Sequence, residues 1–182
     1  MSHIKKLLRM IITGKYPQLR LRRNRYHQWS RKLITENNLS VNDLILPIFI
    51  IDGKNKKIPV KTMPGVFRYS LDKLNSVVQS AIYLGIPMVA LFPYTKGSLK
   101  NPLGTESLNP NNLVCRACKQ IKKKFKNKIG IMCDVALDPY TASGHDGILK
   151  DGKVDNDLTL DALSKMSITL AHSGADILAP SD

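Results

Sequence analysis

No window of this sequence approaches the ~20 consecutive apolar residues that a helix needs to cross a bilayer, so no membrane-spanning helix is expected within it. Cysteine is scarce: Cys115, Cys118 and Cys133 are the only three, too few for a disulfide framework. Cys115 and Cys118 form a CxxC, but neither a second pair nor a nearby histidine completes a zinc site, which normally takes four ligands. They read as two thiols on successive turns of a helix. Aromatic residues make up 6% of the chain and are not interleaved as a base-stacking platform, so a nucleic-acid partner is not expected. Acidic residues are missing altogether from the first 35 positions, which hold ten Lys or Arg, including the run RLRRNR at 20–25.

A second basic cluster, RACKQIKKKFKNK, occupies 116–128, and the chain as a whole carries a formal charge of +14. Patches of this kind point either to an anionic partner or, more plainly, to an assembly-making arm and a solvated helix face. On the plainer reading no membrane partner is expected. The N-terminal MSHIKKLLRMIITGKY is basic and partly amphipathic. It lacks the serine-rich character of a transit peptide and any secretory cleavage site, so cytoplasmic residence is expected. The total of 182 residues suits one domain with a proper core.

From residue 44 the chain repeats one pattern. LILPIFI at 44–50 is a continuous apolar run, as expected of a strand buried on both faces. A polar loop follows. Then a helix begins at Ser70 as N-cap, with Leu71, Leu74, Val77, Val78 and Ile82 at helical spacing, and ends at Gly85. MVALFP at 88–93 reads as a strand, 109–125 as a helix capped by Asn112, and 129–137 as a strand. Residues 158–175 read as a helix ended by Gly174, and DILAPSD as a strand. Alternating strands and helices imply a parallel α/β architecture. No glycine-rich phosphate loop follows the first strand, as it would in a dinucleotide-binding sheet. Phe92, the group Asp134, Asp138 and Asp146, and Ser181 with Asp182 all sit at the C-terminal ends of strands, where a (β/α)8 barrel gathers its active site. The expectation is therefore a TIM barrel of which about the first four βα units are present, with a basic N-terminal arm at 1–40 and the barrel part at 41–182. A four-strand piece leaves open parallel edges, so it should dimerise or belong to a longer chain.

Six blocks carry a resemblance: LILPIFIIDG, MPGVFRYSLDKL, LGIPMVALFP, CDVALDPYTASGHDGIL, DGKVDNDLTLDAL and AHSGADILAPSD. In this order they resemble the first half of the porphobilinogen synthase (delta-aminolevulinic acid dehydratase) family, and the run at 20–25 is similar to the arginine-rich segment opening that family's N-terminal region. The resemblance implies a (β/α)8 barrel whose arm wraps a neighbouring subunit in an octamer-type homo-oligomer. It implies condensation of two 5-aminolevulinate molecules to porphobilinogen with loss of water, an early step of tetrapyrrole and haem synthesis.

The family's zinc-dependent members carry cysteines where this chain has Ala136, Asp138 and Asp146, so no catalytic zinc is expected. Carboxylates there resemble the members that use magnesium, whose allosteric ligands match nothing in this sequence. Asp138 and Asp146 are expected first as catalytic carboxylates that bind or protonate substrate, and second as metal ligands. Asp134 matches an aspartate beside the family's catalytic lysines, Ser181 the catalytic-site serine of the APSD motif, and Phe92 and Asp182 the substrate pocket. Many members read HGH where this chain has Ser143, Gly144 and His145, and His145 is expected to order the loop through its ring nitrogens. The two Schiff-base lysines of the family match no residue here. Lys122 to Lys124 lie in a charged helix and are the wrong candidates. The alternative is an inactive truncated or degenerate remnant that serves at most as an assembly partner.

Overall fold

The structure is a computed structural model that describes residues 14–181, and residues 1–13 of the expected basic arm lie outside the described residues. The chain divides into two compact units, Met1–Leu39 and Ser40–Asp182. In the first, a 3-10 turn at Arg23–Arg25 precedes helix α1, Gln28–Leu33. With most side chains exposed, its order comes from local bonds. Ser30 Oγ lies 2.9 Å from the carbonyls of both Asn24 and His27, and the Arg31 guanidinium donates to the carbonyls of Arg25 and Tyr26. Tyr26 packs edge-on against His27, which stacks on Trp29.

The second unit is built on a six-stranded sheet in the order β2-β3-β1-β4-β5-β8. Its strands are β1 (Ile45–Ile51), β2 (Lys57–Pro59), β3 (Phe67–Tyr69), β4 (Met88–Tyr94), β5 (Gly130–Val135) and β8 (Ile177–Pro180). A separate two-stranded hairpin joins β6 (Leu149–Lys150) to β7 (Lys153–Val154). Strands β1, β4, β5 and β8 are parallel neighbours. Between them run α2 (Leu71–Tyr83), α3 (Leu113–Phe125) and α4 (Asn156–His172).

Two segments depart from the sequence expectation. Residues 54–69, expected as a polar loop, contain β2 and β3, and β3 adds to β1 in parallel through Phe49–Arg68 and Ile50–Tyr69. Three-residue strands are too short to show a period-2 pattern, so only the pairing partner reveals them. Ser70 stands at the N-cap position of α2 without capping it. Its hydroxyl accepts from the Lys56 N–H at 2.8 Å and donates to Asp72 at 2.7 Å, tying down the preceding loop instead.

The other helix signals work as read. Asn112 Oδ1 accepts the Cys115 N–H at 2.8 Å, capping α3. Gly85 and Gly174 end α2 and α4 with positive φ, and each makes the paired bonds of a Schellman turn: Ile86 N–H to Ala81 and Gly85 N–H to Ile82, then Ala175 to Leu170 and Gly174 to Ala171. Helix α4 starts two residues earlier than expected because Asp155 caps it through the Leu158 N–H.

Strand side chains alternate between faces. Ile48, Ile50, Val89, Leu91, Ile131, Cys133 and Val135 are buried in one core with Leu74, Val78, Cys115, Cys118, Ile121, Met166 and Leu170 of the three helices. The opposite phase puts Phe49, Phe92, Met132 and Asp134 on the other face, each only partly buried.

All three cysteines are fully buried in the helix-facing core, and Cys118 Sγ lies 3.4 Å from Cys133 Sγ. Burial holds the Cys115 thiol above its usual range, and the bond to Cys118 together with burial does the same for Cys133. Thiolate is the reactive form, so the folded chain is expected to resist alkylation by iodoacetamide at neutral pH and to take up three equivalents after unfolding in guanidinium. Intact mass before and after denaturation checks this. Replacing the Asn112 cap by alanine should lower stability by about 1–2 kcal/mol, read as a lower urea midpoint with unchanged slope.

Candidate active site

The candidate residues are brought together by β5, β8 and the segment between them. Asp134 is next to last in β5, on the face away from the helices, in register with Ala179 of β8. That register brings Ser181, just past β8, alongside it, and Ser181 Oγ donates to Asp134 Oδ1 at 2.6 Å. Phe92 of β4 shares this face, its ring 5.7 Å from that of Phe49, its register partner on β1. Asp182 lies outside the described residues.

Past β5 the chain turns tightly. Leu137 accepts hydrogen bonds from the Tyr140 and Thr141 N–H groups at 2.8 and 2.9 Å. The segment is held at both ends: Asn101 N–H donates to the Tyr140 carbonyl, Ala142 N–H donates to the Asn101 carbonyl, and Thr141 Oγ1 donates to the His145 carbonyl at 2.7 Å. The bonds at His145 that order the loop are therefore backbone ones, its N–H donating to Ser143 Oγ as well. The sequence predicts that task for the ring, and the bonds found are at the backbone.

Within this frame Asp138 is half-buried and Asp146 exposed. Burial, followed by the charges of Asp146 and then Asp134, holds the Asp138 carboxyl above its ordinary value, and the Lys100 ammonium opposes this. Lys100 Nζ donates to the Asp138 carbonyl at 3.1 Å. It escaped sequence reading because it sits in an irregular loop with no motif around it, and only the fold carries it across from the segment after β4. Asp146, His145 and Ser181 share a groove of 390 Å³ with Asn156, Thr159 and Leu163 of α4. The hydroxyl of Thr159 accepts from the Ile148 N–H at 3.0 Å and so pins the far end of the loop to α4. Ala136 is buried and brings no donor atom.

Four of the residues selected from the sequence, Asp134, Asp138, Asp146 and Ser181, thus share one neighbourhood at the C-terminal ends of adjacent parallel strands. An Asp138 carboxyl held above its ordinary value and a hydroxyl oriented by Asp134 make it suited to proton transfer and to binding a polar substrate. Among the described residues no three His, Cys, Asp or Glu side chains converge as a metal cluster.

The fold and this site define the class: a mainly parallel α/β protein with ionisable groups collected beyond its strand ends. The sequence profile of delta-aminolevulinic acid dehydratase matches residues 18–182, and the chain belongs to that family. It is 49% identical to the delta-aminolevulinic acid dehydratase of Bradyrhizobium diazoefficiens over 164 residues, which are 90% of this chain and 46% of that protein. It is 42% identical to the enzyme of the same name from Chlamydia pneumoniae, over 90% of this chain and 49% of that one. In three dimensions it is similar to the crystal structure of delta-aminolevulinic acid dehydratase (porphobilinogen synthase) from Toxoplasma gondii in complex with the reaction product porphobilinogen. The TM-score is 0.83 at 41% identity, covering 91% of this chain and 47% of that one. The chain spans about half the length of these relatives.

A folded carboxyl raised above its ordinary value favours the protonated form. The associated stability is present below the ordinary carboxylate range and is lost as pH rises through the folded value. Asp138→Asn, which cannot ionise, is therefore expected to stabilise the chain at pH 7 by less than about 1 kcal/mol, with the gap to the parent closing below about pH 4. Thermal melts at the two pH values check the sign.

Proposed function

We propose that this chain supplies the N-terminal half of a (β/α)8 barrel, residues 41–182, preceded by a basic arm at 1–40, and takes part in the condensation of two 5-aminolevulinate molecules to porphobilinogen. Four successive parallel strands with helices on one face, and a length about half that of the relatives, support the half-barrel. The observation that carries the chemistry is the Ser181–Asp134 bond between the ends of β5 and β8, beside Asp138 and Asp146.

Condensation with loss of water requires protons to be removed from carbon and delivered to a departing oxygen. In the proposed roles, Asp134 orients the Ser181 hydroxyl so that its lone pairs face the amine or ammonium N–H of the substrate. Asp138, disposed by burial to carry a proton, exchanges it with the substrate, and Asp146 sets the local negative potential that attracts the substrate amine. Phe92 offers an apolar wall beside them. The nucleophilic amines of the family's reaction are lysines of lowered pKa, which match no residue of this chain. Turnover is proposed to need lysines supplied by further polypeptide.

Asp138 and Asp146 form a donor set of hard oxygens without thiolate. Such a pair suits a hydrated Mg²⁺ held through one or two carboxylates and does not suit a catalytic zinc. Magnesium would supply local positive charge there, and none of the proton transfers above passes through it. A cytoplasmic homo-oligomer is proposed as the setting. No helix among the described residues is long and apolar enough to cross a membrane.

Two measurements test this. Calorimetric titration with porphobilinogen should show binding by the parent chain and, for Ser181→Ala, affinity weakened roughly tenfold, as expected for one hydrogen bond. Equal affinities would remove Ser181 and Asp134 from the site. Pyrrole formation from 5-aminolevulinate by the purified 182-residue chain should stay at the no-protein level, and turnover above it would overturn the assignment of the amines elsewhere.

A further inference from the structure

Tyr140 is 2% exposed, and its hydroxyl has no hydrogen-bond partner in the protein. A buried hydroxyl left unbonded costs about 1–3 kcal/mol, so native structures rarely leave one so. The ring lines a cavity of 20 Å³ that lies apart from the carboxylate site. Asp52, Thr95, Lys96, Glu106 and Arg116 line it too. Asp52 follows β1, and its carboxylate bridges Lys96 Nζ at 3.2 Å and Arg116 Nη2 at 3.0 Å. The Arg116 guanidinium and the Lys96 ammonium hold the Asp52 carboxyl below its ordinary value, while burial pushes the Tyr140 hydroxyl above its own.

Two features identify the occupant. A cavity needs roughly 10–15 Å³ to hold one water, and this one, with Tyr94, Lys96, Leu99 and Arg116 exposed at its rim, has room for one. The charged groups around it, Asp52 and Glu106 against Lys96 and Arg116, sum to zero, so the electrostatics favour a neutral polar guest over an ion. We propose that this cavity is a water site in which a single water bonds the Tyr140 hydroxyl and bridges it to the Asp52–Arg116 pair.

The consequence is structural support for the neighbouring loop. Tyr140 lies two residues after Asp138, and its backbone is already held by Asn101 and Leu137. The water adds a side-chain tether from that loop to the end of β1 through Asp52 and to α3 through Arg116. The site does not depend on the reaction proposed above.

Tyr140→Phe decides the matter, because only a water-bridged hydroxyl predicts a lower melting temperature. A water-bridged hydroxyl is expected to make Tyr140→Phe melt roughly 2–4 °C lower than the parent. A hydroxyl that is merely buried and unpartnered would leave the melting temperature unchanged or raise it, which would overturn the proposal. A crystal structure of the parent chain at a resolution that shows ordered solvent is expected to contain one water within hydrogen-bond distance of Tyr140 Oη and of Asp52 or Arg116. Direct bonding of the hydroxyl to a protein group would also overturn it. Melts in potassium chloride and in choline chloride at equal ionic strength separate the remaining guest. Equal values are expected for water, and a higher value in potassium chloride would mean a monovalent cation site instead.

Discussion

The parallel register that aligns β1, β4, β5 and β8 governs what the rest of the molecule can do. Because side chains alternate along a strand, one alignment sends Ile48, Leu91, Ile131 and Cys133 into the helix-facing core and sends Phe49, Phe92, Met132 and Asp134 to the opposite face. A slip of one residue in β5 would bury the Asp134 carboxylate in the helix-facing core beside Cys118 and bring Cys133 out. The cost of an unpaired buried charge makes that arrangement prohibitive. The core thus enforces the position of the carboxylate without touching it.

The same register sets the reach of Ser181. Pairing Val135 with Pro180 leaves the residue after β8 beside the residue before the end of β5, and a 2.6 Å bond closes the gap. Elsewhere the site depends on loops, which are held by backbone bonds to other loops. Asn101, Tyr140 and Ala142 form one such link, and Thr159 on α4 forms another. Such bonds are local in space and distant in sequence. They let three like charges sit near one another, with Lys100 as the cation that offsets them.

The two basic regions resolve differently. On α3, Lys122 pairs with Asp176, Arg116 with Asp52, and Lys119 donates to the Pro110 carbonyl, so much of that cluster serves the fold while its apolar face packs Ile121 and Phe125 inward. The segment 14–39 has few buried side chains, leaves Tyr26, Trp29 and Leu33 exposed, and is organised by short-range bonds.

Much of this was legible in the sequence. Apolar runs of strand length, the Asn112 cap, and glycines at 85 and 174 that accept positive φ are local signals, and each determined its element because the cause lies within a few residues. The order of six sequence blocks was enough to place the chain in its family and to select Asp134, Asp138, Asp146 and Ser181. Other features depended on partners far along the chain. Strands β2 and β3 exist through pairing to β1, the Ser70 hydroxyl serves the loop at Lys56 and not its own helix, and Lys100 reaches Asp138 only across the fold. The raised Asp138 carboxyl and the orphaned Tyr140 hydroxyl are likewise products of burial and neighbouring charge. The sequence by itself determined which groups are present and which local elements carry them. Only the tertiary structure decided which of those groups lose water and which charges they face, because desolvation and Coulomb interaction depend on distance through space, not along the chain.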